Sequence, residues 1–256
     1  MAFLKKFLSL SAAALAYTSA AIQGVCSENG AACPAENIAI KSGGDTLFLS
    51  PKNGAIVGLK RGGTELLAKS ERAFVLRFLK RDGSFLYVDD SAFASFSFAG
   101  NSAKWRGCSA VEGLEFSLEI KSDNGEFRFR PRVDGIPDAL LLDYIESPRV
   151  CVPLGNELLS PWSEGMLVLD REKRNRKRLH LEFPDKLRTG YFPGICQMQF
   201  MASYSDKGGV YFAADDYASG TKVLEFAQDA PEIVGLRIEN AYGTEIPFQH
   251  TSCLST

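Results

Sequence analysis

Two adjacent acidic pairs, two histidines, six cysteines and a few aromatic residues in loop-like contexts are the groups of this chain that could do chemistry. Hydrolysis of a glycosidic bond by the ordinary route needs two carboxyl groups facing each other across a sugar, one as acid and one as base or nucleophile. Asp89-Asp90 and Asp215-Asp216 do not satisfy that geometry, because neighbours on a strand point to opposite faces; they read as turn and strand-end residues. Proton transfer around a sugar's anomeric centre needs a positioned acid and base. His180 and His250 are the histidines available; His180 follows a charged loop and reads as solvent-facing. Two histidines so far apart, and cysteines without a Cys-x-x-Cys spacing, give no metal site.

Trp105, Trp162, Tyr191, Tyr204, Tyr211 and Tyr217 could offer flat faces to the C–H groups of sugar rings, while Glu164, Gln197 and Asp216 could hydrogen-bond hydroxyls. Any one aromatic in such a chain is more often core than platform. Trp162 is the exception, because Ser160-Pro161 before it and Ser163-Glu164-Gly165 after it describe a loop. The candidate carbohydrate-contacting set is therefore Trp162, Glu164, Tyr191, Gln197 and Asp216, with no catalytic residue, metal ligand or cofactor assigned. The run Arg171 to Arg178, REKRNRKR, reads as a solvated loop. There is no Gly-x-Gly-x-x-Gly, P-loop or Gly-x-Ser-x-Gly motif, so nucleotide-dependent and serine-hydrolase chemistries have nothing to stand on.

The ends and the cysteines point to export. Residues 1–21 carry Lys5 and Lys6, an apolar run from Phe7 to Ala16, and small residues at Ser19, Ala20 and Ala21, the pattern of a secretory signal peptide too short for a membrane span. Gln23-Gly24-Val25 before Cys26 is a poor lipid-attachment context. Removing the leader leaves 27 basic against 31 acidic side chains, and this mild acidity gives no pull toward nucleic acid. The expected destination is the periplasm or the exterior. All six cysteines lie beyond the leader; Cys26 and Cys33 are the plausible local bridge, and Cys108, Cys151 and Cys196 read as buried free thiols.

The elements that must position these groups are strands. Ala73–Leu79 turning at Asp82-Gly83, and Leu114–Ile120 leading through Asp123-Asn124-Gly125 into Glu126–Arg130, alternate apolar with polar residues at period two. Gln197, Phe200, Ala202 and Tyr204 alternate along another strand, Asp206-Lys207-Gly208-Gly209 turns, and Val210–Ala214 returns. Asp138 to Tyr144 is either a short helix or a buried strand. The pattern predicts an all-β chain, a large antiparallel β-sandwich whose core draws on Phe74, Leu76, Phe78, Phe116, Leu118, Phe127, Phe129, Phe200 and Phe212. With no linker-like composition break, the expected organisation is a signal peptide over 1–21, a flexible segment over 22–37, one β-domain over 38–248, and an irregular tail over 249–256 where the chain reads as truncated.

The stretch from Tyr191 to Asp216, with Tyr191, Pro193-Gly194, Met198-Gln199-Phe200-Met201-Ala202, Gly208-Gly209 and the closing aspartates, resembles the β-sandwich domain that precedes the catalytic barrel in a group of bacterial glycoside hydrolases. Leu49 to Leu67 is similar to the opening hairpin of galactose-mutarotase-like supersandwich domains, and Pro161-Trp162-Ser163-Glu164-Gly165-Met166 to a further motif of the same domains. The resemblance implies a supersandwich that contacts a glycan, an oligo- or polysaccharide, or packs on a catalytic barrel absent from this sequence, and that is not an enzyme by itself. In that family the barrel carries the carboxylates, and neither histidine here lies in an epimerase-like context. The competing expectation is a stand-alone secreted structural or protein-interaction β-sandwich.

Overall fold

Period-two writing becomes strand throughout. The computed structural model describes residues 36–161, 165–168, 186–215, 220–230, 232–241 and 251–256, all within the unit Ala35–Thr256. In chain order the strands are β1 (Ile38–Ser42), β2 (Asp45–Leu49), β3 (Ile56–Arg61), β4 (Thr64–Glu65), β5 (Val75–Lys80), β6 (Phe85–Asp89) and β7 (Phe93–Ala99). They continue with β8 (Ser102–Cys108), β9 (Glu115–Asp123), β10 (Glu126–Asp134), β11 (Leu140–Glu146), β12 (Val150–Pro153) and β13 (Glu157–Ser160). The remainder are β14 (Met166–Val168), β15 (Lys186–Phe192), β16 (Phe200–Ser205), β17 (Gly208–Asp215), β18 (Lys222–Ala230), β19 (Ile233–Ala241) and β20 (Thr251–Ser255).

They form three antiparallel sheets. One has four strands in the order β1-β2-β3-β4, one has nine in the order β14-β13-β16-β17-β20-β10-β9-β8-β7, and one has seven in the order β15-β18-β19-β11-β5-β6, with β12 also paired to β19. The tight turns fall where the sequence places them, the second two residues shorter than expected because Gly208 and Gly209 already pair in β17. Asn124 and Gly125, between β9 and β10, both take positive φ, as a two-residue hairpin whose twist matches its strands requires. A two-residue turn at Asp206-Lys207 returns β16 into β17, with Ser205 opposite Gly208.

The nine- and seven-stranded sheets face each other across one core. Phe116 on β9 and Trp105 on β8 meet Phe74, which leads into β5, at ring-centroid separations of 3.9 Å and 5.1 Å, and all three are buried. Phe78, Phe127, Phe129, Phe212 and Phe226 complete the aromatic filling. Each such ring removed from water contributes about 1.5–3 kcal/mol relative to its exposed state, which is how sheets of this size hold together. Trp105 also donates its indole N–H to the Asn53 carbonyl at 3.0 Å, so it is core with a satisfied polar end and not a sugar platform. Gly54 lets the rings in: a Cβ there would lie 2.5 Å from Trp105, and its φ of +72° suits glycine.

Two expectations change, and one left open is decided. Phe200 faces away from the core and lies 4.8 Å from the Tyr211 ring, while its neighbour Met201 is the buried residue; the strand is read one residue out of phase because both neighbours are apolar. Asp138 to Tyr144 resolves in favour of strand, β11. Residues 251–255, expected within an irregular tail, form β20, which lies in the middle of the nine-stranded sheet between β17 and β10, with Leu254 fully buried. Neither partner strand is local in sequence, so nothing near residue 251 announces the pairing. Thr256 is also tied down, donating its hydroxyl to the buried Asp45 carboxylate at 2.9 Å, beside the two hydrogen bonds that Arg61 makes to the same group.

Candidate functional site

Along β19, Val234, Leu236 and Ile238 point into the core, so Ile233, Gly235, Arg237 and Glu239 point to the other face of the seven-stranded sheet. Register extends that outer face into rows. Arg237 lies opposite Glu225 on β18, and Glu239 lies between Val223 on β18 and Glu146 on β11. Further across, Tyr144, Arg77 and Tyr87 stand opposite one another on β11, β5 and β6.

Two β-bulges each deliver an aspartate to this face. The register of β18 slips between Gln228 and Ala230, leaving Asp229 outside the ladder, and that of β11 slips between Leu142 and Tyr144, leaving Asp143 outside. A bulge re-aims the extra residue's side chain, and here both turn toward arginines. Asp143 pairs with Arg77, whose guanidinium also lies 4.1 Å from the Tyr144 ring centroid and 4.6 Å from that of Phe85. Asp229 pairs with Arg237 and accepts two hydrogen bonds of 3.2 Å from Arg149. Gly235 makes this possible: a Cβ there would sit 2.6 Å from an Asp229 carboxylate oxygen.

Glu146 joins the same cluster. Its Oε1 is 3.1 Å from Arg149 Nε and 3.2 Å from Arg237 Nε, and Arg237 also reaches Glu225 at 3.5 Å. These are ion-pair distances without hydrogen-bond alignment at Glu146 Oε1 or Arg237 Nε. Burial pushes the Glu146 carboxyl above its ordinary range despite both arginines. Burial and then the Asp229 charge push the Cys151 thiol up to about 12, and its Sγ is 3.5 Å from Asp229. The Tyr144 phenol is likewise raised, by burial and by Glu239.

The cluster forms one wall of a cleft of about 530 Å³ that also involves Lys69, Arg72 and Tyr87. Residues 69–72 wall it on another side, anchored where the Ala68 N–H donates to the Cys151 carbonyl and the Ser70 N–H to the Ile56 carbonyl, both at 2.8 Å. Carboxylates that share one guanidinium are gathered on one side and cannot straddle a sugar as acid and base. Cys151 is held as a thiol and is no nucleophile at neutral pH. Among the described residues no group of histidine, cysteine, aspartate and glutamate could hold a metal ion. What the cleft offers is a fixed array of donors and acceptors.

The residues expected from sequence lie elsewhere. Trp162, Glu164 and Asp216 fall outside the described residues, as do His180, His250, the basic run 171–178 and the Cys26–Cys33 segment. Tyr191 is on β15 opposite Val223, and Gln197 is exposed in the segment between β15 and β16. Gly165 lies against the segment between β15 and β16, where a Cβ on it would be 3.0 Å from Met198 Cε. Cys151 and Cys196 are buried and Cys108 half-buried, none of the three in a disulfide. Asp89 caps a single helical turn at the end of β6, and Asp90 is buried, accepting from the Ala73 N–H and from Asn53. The Arg237–Glu146–Arg149–Asp229 cluster was not legible in sequence, because its members come from three separate stretches of the chain.

No protein-family model and no curated protein matches the chain. Solved structures do match its fold. The α-N-acetylgalactosaminidase NagBb of Bifidobacterium bifidum in complex with GalNAc superposes with a TM-score of 0.58 at 9% identity over 85% of this chain and 35% of that one. Its ligand-free form gives 0.58 at 10% identity, over 86% and 35%. A putative aldose 1-epimerase from Escherichia coli K12 gives 0.51 at 12% identity, over 86% of this chain and 97% of that one. This chain thus spans about a third of the length of the first protein and nearly all of the last. At such identities the likeness is one of fold, and the fold is the all-β, galactose-mutarotase-like supersandwich.

Proposed function

We propose that this chain is an exported, non-catalytic supersandwich domain of a carbohydrate-active protein, which contacts a glycan and packs beside a catalytic domain. The carrying observation is that Glu146 and Asp229 in the cleft are both engaged by Arg149 and Arg237, so among the described residues of the cleft these two carboxylates are tied up in ion pairs and do not stand as a free acid–base pair. The partner reading is supported by the third of a larger glycosidase that the fold spans. Export is supported by the leader-like residues 1–21, and a glycan contact at Pro161–Gly165 together with the Tyr191–Gly194 turn by the loop-like setting of Trp162 in the sequence. Trp162, Glu164, Tyr191, Gln197 and Asp216 remain the proposed residues of that contact.

The test is to express the full chain with its own leader, locate it by fractionation, and screen it on a glycan array alongside hydrolysis and anomer-exchange assays. Export, retention on at least one glycan class, and no turnover are expected. Turnover would overturn the non-catalytic assignment, and absence of any glycan retention would favour the stand-alone structural β-sandwich.

A further inference from the structure

Beyond the cleft, the outer face of the seven-stranded sheet carries a strip that the ion-pair cluster does not use. Phe85, Leu79 and Leu141 lie opposite one another across β6, β5 and β11, with Phe85 48% and Leu141 50% exposed. Tyr87, two residues along β6 on the same face, is 58% exposed. Exposed aromatics on an edge strand are costly to leave bare unless something uses them. They are also held in place: Arg77 lies between the Phe85 and Tyr144 rings and is fixed by Asp143, so the platform is ordered before anything binds.

Strip and cleft are continuous, since Tyr87 and Tyr144 line both. Charges in the cleft nearly balance, with Lys69, Arg72, Arg149 and Arg237 set against Glu71, Glu146 and Asp229. Extending the glycan-contact reading above, on which it rests, we infer that cleft and strip together form one elongated site for an uncharged oligosaccharide. One sugar ring enters the cleft, where Lys69, Arg72 and Tyr87 meet its hydroxyls, and the following ring lies with its C–H face on Phe85 and Tyr87. A sugar has hydroxyls around its rim and apolar C–H groups on its faces, which suits a polar cleft opening onto an aromatic strip. A protein partner fits this surface less well, because the buried centres of protein interfaces are depleted of charged residues, and the cleft is lined by seven of them.

The full chain would be titrated calorimetrically with malto-, cello- and galacto-oligosaccharides of increasing length and with glucose and galactose. For Phe85→Ala and Tyr87→Ala, thermal transitions near wild type and an affinity about tenfold weaker for the oligosaccharides are expected, with a monosaccharide affected about twofold or less. Equal loss for every length would overturn the elongated site. Unchanged affinity in both variants, with binding abolished by Trp162→Ala, would place the glycan elsewhere and sink this inference while sparing the proposed function. No binding of any saccharide by the wild-type chain would sink both. Self-association in sedimentation that Phe85→Ala removes, with saccharide affinity unchanged, would make the strip a protein contact.

Discussion

Replacing Arg237 by methionine tests whether the outer-face cluster is a tightly coupled unit. Arg237 is 15% exposed at its side chain and meets Glu146 and Glu225, 5% and 2% exposed, together with Asp229 at 22%. Methionine keeps most of the volume and removes the charge. Glu146 and Asp229 would then depend on Arg149 alone, and breaking a buried ion pair by deleting one partner costs about 3–5 kcal/mol. In a domain of this size about 1 kcal/mol corresponds to a shift of about 2–4 °C, so the melting temperature should fall by about 6–20 °C. The loss should also depend on pH with a definite sign. Burial already holds the Glu146 carboxyl above its ordinary 4.5, so the folded state binds that proton more tightly than the unfolded chain does. Its contribution is fully present below 4.5 and is lost as pH rises through the raised value. Deleting one of its two cations raises the folded value further, so Arg237→Met should be more damaging at pH 8 than at pH 5. Adding Glu146→Gln should recover part of the loss, because the stranded charge is gone. Thermal denaturation by circular dichroism at the two pH values checks this. A loss under about 1 kcal/mol with no pH dependence would refute the reasoning and mean that solvent already reaches the cluster.

Gly235→Ala should destabilise by about 1–3 kcal/mol by driving the Asp229 carboxylate off Arg149 and Arg237, and in an Asp229→Ala background the same change should cost little; chemical denaturation of the four proteins gives the coupling. Trp105→Ala should cost about 3–5 kcal/mol, because the ring is buried among Phe74, Phe96 and Phe116, and urea melts will show it. Gly54→Ala should also destabilise, since the new methyl would meet Trp105 and Phe96 at a positive φ; a melting temperature equal to wild type would count against the packing described. Cys151, with a thiol pushed up to about 12, should resist alkylation in the native protein at pH 8 and react after unfolding, as peptide mass mapping will reveal.

Several parts of the fold are set by short stretches of sequence. Alternation in Phe116–Ile120, Phe127–Phe129 and Leu76–Phe78 assigns strands and their buried faces, because the side-chain period of a strand is two and needs no distant partner. Asn124-Gly125 and Asp206-Lys207-Gly208 fix hairpins, because their backbone angles exclude most alternatives. Where two apolar residues adjoin, as at Phe200 and Met201, the phase is ambiguous and the partner strand decides it. Tertiary structure alone decided the rest. The pairing of β20 between β17 and β10 joins segments remote in sequence. The candidate cleft depends on bulges that move Asp143 and Asp229 out of the ladder, and a bulge is a property of two strands in register, invisible in either one. Arg237, and Arg149 in its pairing with Asp229, acquire their partners by the same non-local route, so side chains from three stretches of the chain become a partly buried network once β11, β12, β18 and β19 lie side by side.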